Sequence, residues 1–132
     1  MDFKIFCEAY AKEINGEYRD YDGSRSIIIV PLKDGRFQTV TGHLKYNSEY
    51  EREMVQLKTK VCSISNNIPY QELLTESAEY PYSKFIIEDD FLKVEAVAFL
   101  EVTAEQVIKE MFMEIAQHAD DWEFRITGKD IH

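Results

Sequence analysis

The sequence predicts an α+β protein: one domain over residues 1–132 in the order helix, three strands, helix, two strands, helix. Apolar residues recur every three or four positions at both ends of the chain, as in helices that bury one face. Between them, short runs rich in β-branched residues alternate with turn signals. Because helices and strands do not alternate regularly, we expect an antiparallel sheet with helices packed on one face and the other face partly open.

The first half predicts one helix followed by three strands. Asp2 is placed to cap the helix, Asn15-Gly16 to end it, and its buried face comprises Phe3, Phe6, Cys7, Tyr10 and Ile14. Asp34-Gly35 predicts a hairpin turn between two apolar runs. Pro31 lacks a backbone donor and is expected at a strand edge or end. Gln56, Lys58 and Lys60 alternate with apolar residues, so one face of the third strand is expected to be wet.

The second half predicts a short helix, a hairpin and a long helix. Asn66 or Asn67 is expected to cap the short helix, which contains Pro69 in its first turn and ends by Pro81. Glu88-Asp89-Asp90 separates the two strands of the hairpin. Thr103 and Gln106 match a capping box before the long helix, and Gly128 is the expected terminator.

Composition and charge exclude several classes of partner. The 132 residues include 25 acidic and 15 basic side chains, a net charge of −10, with the basic residues scattered. Nucleic acid and anionic membranes are therefore not expected as partners. The charge is explained either by solubility or by attraction to a basic partner. No apolar stretch is long enough to span a bilayer. Cys7 and Cys62 are expected to be buried, reduced thiols of a cytoplasmic protein.

No constellation of residues predicts catalysis or a cofactor. The chain lacks the glycine-rich phosphate loops and the catalytic motifs of the common enzyme classes. His118, Asp120, Asp121 and His132 stand close together near the end of the chain, but a metal site needs more histidine or cysteine. We interpret His118, Asp120 and Asp121 as solvated side chains beside the buried stripe Ile115, Ala119, Trp122 and Ile126. No catalytic, cofactor-binding or metal-binding residue is predicted, and we expect a protein that is not an enzyme.

With this element order, the chain resembles the type III secretion chaperone-like superfamily, including its YbjN-type putative sensory regulators. The resemblance is most specific from Ile68 to Gly128, and the ending "ADDWEFRITG" is similar to that of several members. It implies a small acidic cytoplasmic homodimer that binds protein without a cofactor. Secretion chaperones of this family hold a stretch of their cargo in extended form along apolar patches.

The predicted binding surface lies on the first helix and the first two strands. Ile27, Ile28 and Ile29 are consecutive, so at least one must point away from the core. Such surplus apolar surface favours a partner or a dimer, and the predicted protein-binding residues are Phe3, Phe6, Ile28, Phe37 and Val40. The sequence thus indicates a chaperone-like domain that recognises an extended segment of a partner protein as a homodimer. The alternative is a small-ligand-sensing or regulatory domain of the same fold, with a pocket between sheet and long helix lined by Phe112, Trp122 and tyrosines.

Overall fold

A computed structural model describes residues 1–128 as three helices and six strands. His132, which belongs to the predicted cluster at the end of the chain, lies outside the described residues. A single 3₁₀ turn, Lys33–Gly35, connects the second and third strands. In chain order the elements are α1 (Phe3–Glu13), β1 (Glu17–Asp20), β2 (Arg25–Pro31), β3 (Phe37–Asn47), β4 (Arg52–Ser63), α2 (Tyr70–Ser77), β5 (Lys84–Glu88), β6 (Phe91–Phe99) and α3 (Glu105–Thr127).

The strands form one sheet in the order β1-β2-β3-β4-β6-β5, and every neighbouring pair is antiparallel. The predicted α+β class and single domain are therefore confirmed over the described residues. The predicted count of three strands in the first half is wrong, because β1 precedes them at the sheet edge. This strand is four residues long and carries one apolar residue, Tyr18, so it has no apolar run to reveal it.

The helix ends follow the predictions at four of six positions. Helix α2 ends at Ser77, before Pro81. The Asp2 side chain accepts a hydrogen bond from the Ile5 backbone, Asn15 adopts a left-handed φ of 58° after α1, and Gly128 ends α3 with φ 71°. The predicted caps of the other two helices are wrong. Helix α3 begins after Ala104 and α2 begins after Pro69, both without a side-chain cap.

Both predicted hairpin turns are present. Asp34 and Gly35 adopt left-handed φ values of 59° and 73° between β2 and β3. Asp89 and Asp90 have φ values of 53° and 64°, the conformation of a two-residue turn between paired strands. Pro31 is the last residue of β2, where its missing donor costs no ladder bond inside the strand.

Helices α1 and α3 lie on the same face of the sheet. Helix α1 contacts β1 and β2, and α3 crosses β3, β4 and β6. Phe3, Phe6 and Tyr10 of α1 pack around Phe112 of α3 with ring centroids 5.5–6.5 Å apart. Cys7 and Cys62 are buried, unpaired thiols on this side, as predicted. The helices thus cover one face of the sheet and leave the other without helical cover. Within residues 1–128, no helix has the length and apolar character needed to cross a bilayer.

Candidate protein-binding surface

One side of the six-stranded sheet carries no helix among residues 1–128. We call it the open face; it comprises the odd-numbered residues of β1, β2, β3 and β6, and the even-numbered residues of β5 and of β4 up to Lys60. Residues of the opposite parity, such as Ile28, Val40 and Leu57, are fully buried beneath the helices. Strand alternation therefore assigns each side chain to the core or to the open face.

A groove lies in the middle of the open face. The groove there has a volume of about 780 Å³ and lies over β3 and β4, with walls from β2, β6 and the β5–β6 turn. Polar and charged side chains line most of it: Arg25, Thr39, Thr41, His43, Lys45, Gln56, Lys58, Lys60, Glu88, Asp89 and Lys93. Phe37 lies at one end of the groove and is 39% exposed.

Ion pairs hold one wall of the groove in place. The Glu88 carboxylate accepts hydrogen bonds from Lys58 Nζ at 2.9 Å and from Lys93 Nζ at 2.8 Å. These two bonds lower the pKa of Glu88 to about 2. Glu95 pairs with Lys84 at 3.2 Å and lies 3.8 Å from Lys58. Lysines from three strands therefore converge on two carboxylates, which keeps this wall ordered.

His43 lies in the middle of the groove, opposite Arg25 on β2 and Gln56 on β4. Partial burial lowers its pKa, and the positive charges of Arg25 and Lys58 lower it further. This environment suits packing or hydrogen bonding to a bound chain.

Four of the five predicted protein-binding residues are buried and cannot contact a partner. Phe3, Phe6, Ile28 and Val40 are buried in the core between the helices and the sheet. The sequence places them on a surface because it does not show that α3 packs over these residues and buries them. Phe37 is the only one of the five that lies on the open face. The expected surplus of apolar surface is present at Ile27 and Ile29, which are half-buried on the open face, while Ile28 faces the core.

The acidic cluster near the chain end differs from its predicted arrangement. Asp120 was expected on the wet side of α3 but is buried, and its two oxygens accept hydrogen bonds from Arg36 Nε at 3.2 and 2.9 Å. Glu123, one turn later, is also buried. The His118 ring stacks on Tyr80 at 3.5 Å, and burial lowers its pKa. Within residues 1–128, no group of three or more His, Cys, Asp or Glu side chains is placed to hold a metal.

The residues proposed to line a ligand pocket between sheet and long helix fill that space themselves. Phe112 is fully buried in the aromatic cluster with α1. Trp122 is buried against Phe85, and its Nε1 donates a hydrogen bond to the Tyr80 hydroxyl at 3.0 Å. These side chains support the packing of α3 on the sheet.

The sequence indicated the wet face of β4 but not the surface to which it belongs. Gln56, Lys58 and Lys60 alternate with buried residues, and this alternation was visible in the sequence. Lys93 and Glu95 on β6 were not visible as partners, since α2 and β5 lie between β4 and β6 in the chain. Their pairing could not be inferred without the strand order.

Comparisons with known proteins identify the fold. No family model matches the chain, and no curated protein matches it in sequence. Among solved structures, a chain of the ExsC–ExsE complex superimposes with a TM-score of 0.63 and 14% sequence identity, covering 94% of this chain and 92% of that one. A chain of the HopA1–SchA chaperone–effector complex superimposes with a TM-score of 0.56 and 11% identity, covering 96% and 94%.

Both superpositions extend over nearly the whole chain, so they include the sheet, the covering helices and the open face together. At such low identity they establish architecture and not activity. They agree with the resemblance indicated by the element order and by the C-terminal half of the sequence. This protein therefore has the α+β fold of the type III secretion chaperones.

Proposed function

We propose that this protein is a non-enzymatic, chaperone-like binding domain that recognises an extended segment of a partner protein in the cytoplasm. The observation that carries the proposal is the open face, a broad sheet surface that no helix of residues 1–128 covers. A concave sheet fits an extended chain, because strand-like segments can lie along its rows of side chains. The solved structures with the same fold are complexes of two proteins, one of them described as a chaperone with its effector.

We also propose that the protein acts as a homodimer. The resemblance to the chaperone family supports this, as do exposed apolar side chains away from the open face, including Leu74, Ile87 and Val102. Sedimentation velocity should give twice the chain mass at micromolar concentration. A species of single-chain mass across the concentration range would contradict the dimer and leave the binding function to be tested separately.

The binding function is tested by capture followed by reconstitution. The tagged protein is cross-linked in its own cell, captured partners are identified, and each is purified and mixed with the protein. Hydrogen exchange on the partner should then show one contiguous segment that exchanges quickly when free and slowly when bound. Failure of every purified candidate to bind, or protection only of folded regions of the partner, would overturn the proposal.

A further inference from the structure

The open face has the opposite charge to the chain as a whole. The chain carries a net charge of −10, yet more than half of its 15 basic side chains project from this face. The carboxylates on the same face are Glu17, Glu88 and Glu95, with Asp89 in the adjoining turn. The cations are Arg19, Arg25, Lys45, Arg52, Lys58, Lys60, Lys84 and Lys93.

Carboxylates of the open face are already paired with lysines of the same face. Glu88 binds Lys58 and Lys93, and Glu95 binds Lys84. Three other cations, Lys45, Arg52 and Lys60, have no carboxylate within ion-pair distance among residues 1–128. Each of the last two lies instead over an aromatic ring, Arg52 over Phe99 at 4.3 Å and Lys60 over Phe91 at 4.1 Å. The unneutralised charge of this face is therefore positive.

One pair of lysines on the open face repel each other unless an anion lies beside them. Lys60 and Lys93 are directly paired across β4 and β6, and both point to the open face. Like charges directly opposite each other destabilise a sheet. Glu88 neutralises Lys93 but does not bind Lys60, which leaves one cation of the pair for another acceptor.

The unneutralised cations are spaced along the direction of the strands. Arg52 and Lys45 lie near one end of the β3–β4 pair, and Lys60 lies toward the other end of β4. At a rise of about 3.3 Å per residue, Arg52 and Lys60 are about 26 Å apart along the strand. Between them the face offers Met54 and Gln56 on β4 and Val97 on β6. An occupant that matches this row is extended and carries acids separated by apolar residues.

We infer that the open face binds an acidic, extended segment of the partner, with its carboxylates on Lys45, Arg52 and Lys60 and its apolar side chains between them. The inference rests on the proposed function and specifies the chemistry of the bound segment. A second copy of the chain is a poor occupant, because a two-fold contact would place this basic surface against itself. The acidic outer surface of the molecule would in turn keep an acidic partner from binding elsewhere.

The test uses a fluorescent synthetic peptide of about 12 residues, about 40 Å when extended. Glu occupies every fourth position and Val the positions midway between, so that both point to one side, and Thr occupies the positions that point to the other side. The control peptide has Lys in place of each Glu. The acidic peptide should bind and the basic one should not. Raising NaCl from about 50 to about 300 mM should weaken binding about tenfold, because exposed charge pairs are screened. Binding of the basic peptide alone, or salt-independent binding of both, overturns the inference.

Charge-reversal variants locate the site. K45E, R52E and K60E should each weaken acidic-peptide binding about fivefold or more. K12E is the matched control: Lys12 is exposed on α1, has no ion pair among the described residues, and changes the net charge equally. An equal loss in K12E would mean that only net charge matters, which overturns the assignment to the open face. Circular dichroism confirms that each variant is folded.

Two further outcomes separate this inference from the proposed function. If a purified partner binds the three face variants as tightly as the unmodified protein, protein binding stands and the acidic-segment inference fails. If the three variants shift the sedimentation coefficient from dimer to monomer, the face is a self-association surface and the inference also fails. If no purified partner binds, the proposed function fails, whatever the peptide shows.

Discussion

The carboxylate of Glu88 connects β5 to β4 and β6 through its hydrogen bonds to Lys58 and Lys93. Replacing it in E88Q should reduce the free energy of unfolding at pH 7 by about 1 kcal/mol, because both lysines lose their nearest carboxylate and keep only the longer pairs with Glu95 and Asp89. Lys93 is the more affected of the two, since only 11% of its side chain is exposed. Urea unfolding of the two proteins measures the difference.

The pH dependence of that difference gives the second readout. The pKa of Glu88 lies at about 2 in the folded protein, below its ordinary value of 4.5. The contribution of Glu88 is therefore complete above pH 4.5 and is lost as the pH falls toward 2. The stability gap between the unmodified protein and E88Q should shrink over this range. A gap that stays constant from pH 7 to pH 2 would contradict the ion-pair account.

The burial of Asp120 could not be predicted from the sequence. Asp120 and Asp121 are identical neighbours, yet the first is buried against Arg36 and the second is exposed on the outer surface of α3. The sequence predicted which residues of α3 form its buried apolar stripe. It did not predict that Asp120 is buried, because its partner Arg36 lies 84 residues earlier, between β2 and β3. No local pattern indicates a partner at that distance.

Substitution of Asp120 by Ala should lower the free energy of unfolding by about 3 kcal/mol, because the largely buried charge of Arg36 then loses its closest carboxylate and keeps the exposed Asp34 at 3.9 Å. The double variant R36M/D120L removes both charges and should cost less than D120A alone. Chemical denaturation of the three proteins tests this order. A double variant less stable than D120A would show that the pair contributes more than charge compensation.

Among the elements, α2 contacts β5 and is connected to α3 by ion pairs. Arg125 donates to Glu72 at 2.9 Å and to Glu76 at 3.0 Å, and it stacks on Trp122. Leu73 is the one fully buried side chain of α2. The helix therefore depends on a single apolar anchor and a set of exposed ion pairs.

R125A should accelerate hydrogen exchange of the α2 amides about fivefold, because it removes the ion pairs that hold the helix in place. The amides of β3 and β4 should exchange at unchanged rates. K12A serves as the control, since it removes an exposed basic side chain from α1 without breaking an ion pair. Unchanged protection of α2 in R125A would contradict this account.

The β5–β6 turn offers a stabilising change. Asp90 has a φ of 64°, a conformation that costs non-glycine residues about 1 kcal/mol. D90G should therefore raise the free energy of unfolding by about that amount. E49G, in an exposed turn where φ is not positive, should give no gain. A loss of stability in D90G would mean that the Asp90 side chain makes a contact that stabilises the turn by more than the cost of its backbone conformation.

Elements were predictable from the sequence wherever a periodic apolar pattern or a turn dipeptide marked them. Examples are helices α1 and α3 and the Asp34-Gly35 and Asp89-Asp90 turns. The alternation of polar and buried residues in β4 is another. Strand β1 escaped prediction because an edge strand of four residues needs little apolar character. The two helix starts were misplaced because Ala104 and Pro69 provide no capping side chain.

At the scale of the whole molecule, the sequence predicted the class of fold but not the charge of its surfaces. A net charge of −10 suggested either solubility or a basic partner. Strand pairing gathers lysines and arginines from positions 19 to 93 on one face, while α2 and α3 carry a large excess of acids. Because the segregation arises from sheet register, composition could not reveal it.

The same reasoning explains why the predicted binding residues were misplaced. Phe3, Phe6, Ile28 and Val40 are apolar enough to bind a partner, but α3 supplies Phe112 and Ile115 to cover that side of the sheet. Only the three-dimensional arrangement shows which apolar residues remain available. Those on the open face include Ile27, Ile29, Phe37, Met54, Ile86, Phe91, Val97 and Phe99.

The most direct test of the central claim, that the open face is the binding surface, is a methyl NMR titration with the acidic peptide. The methyl signals of Ile27, Met54 and Val97 on the open face should shift, while those of Leu74 and Val102 should not. Shifts confined to Leu74 and Val102, with the open-face signals unchanged, would contradict the account.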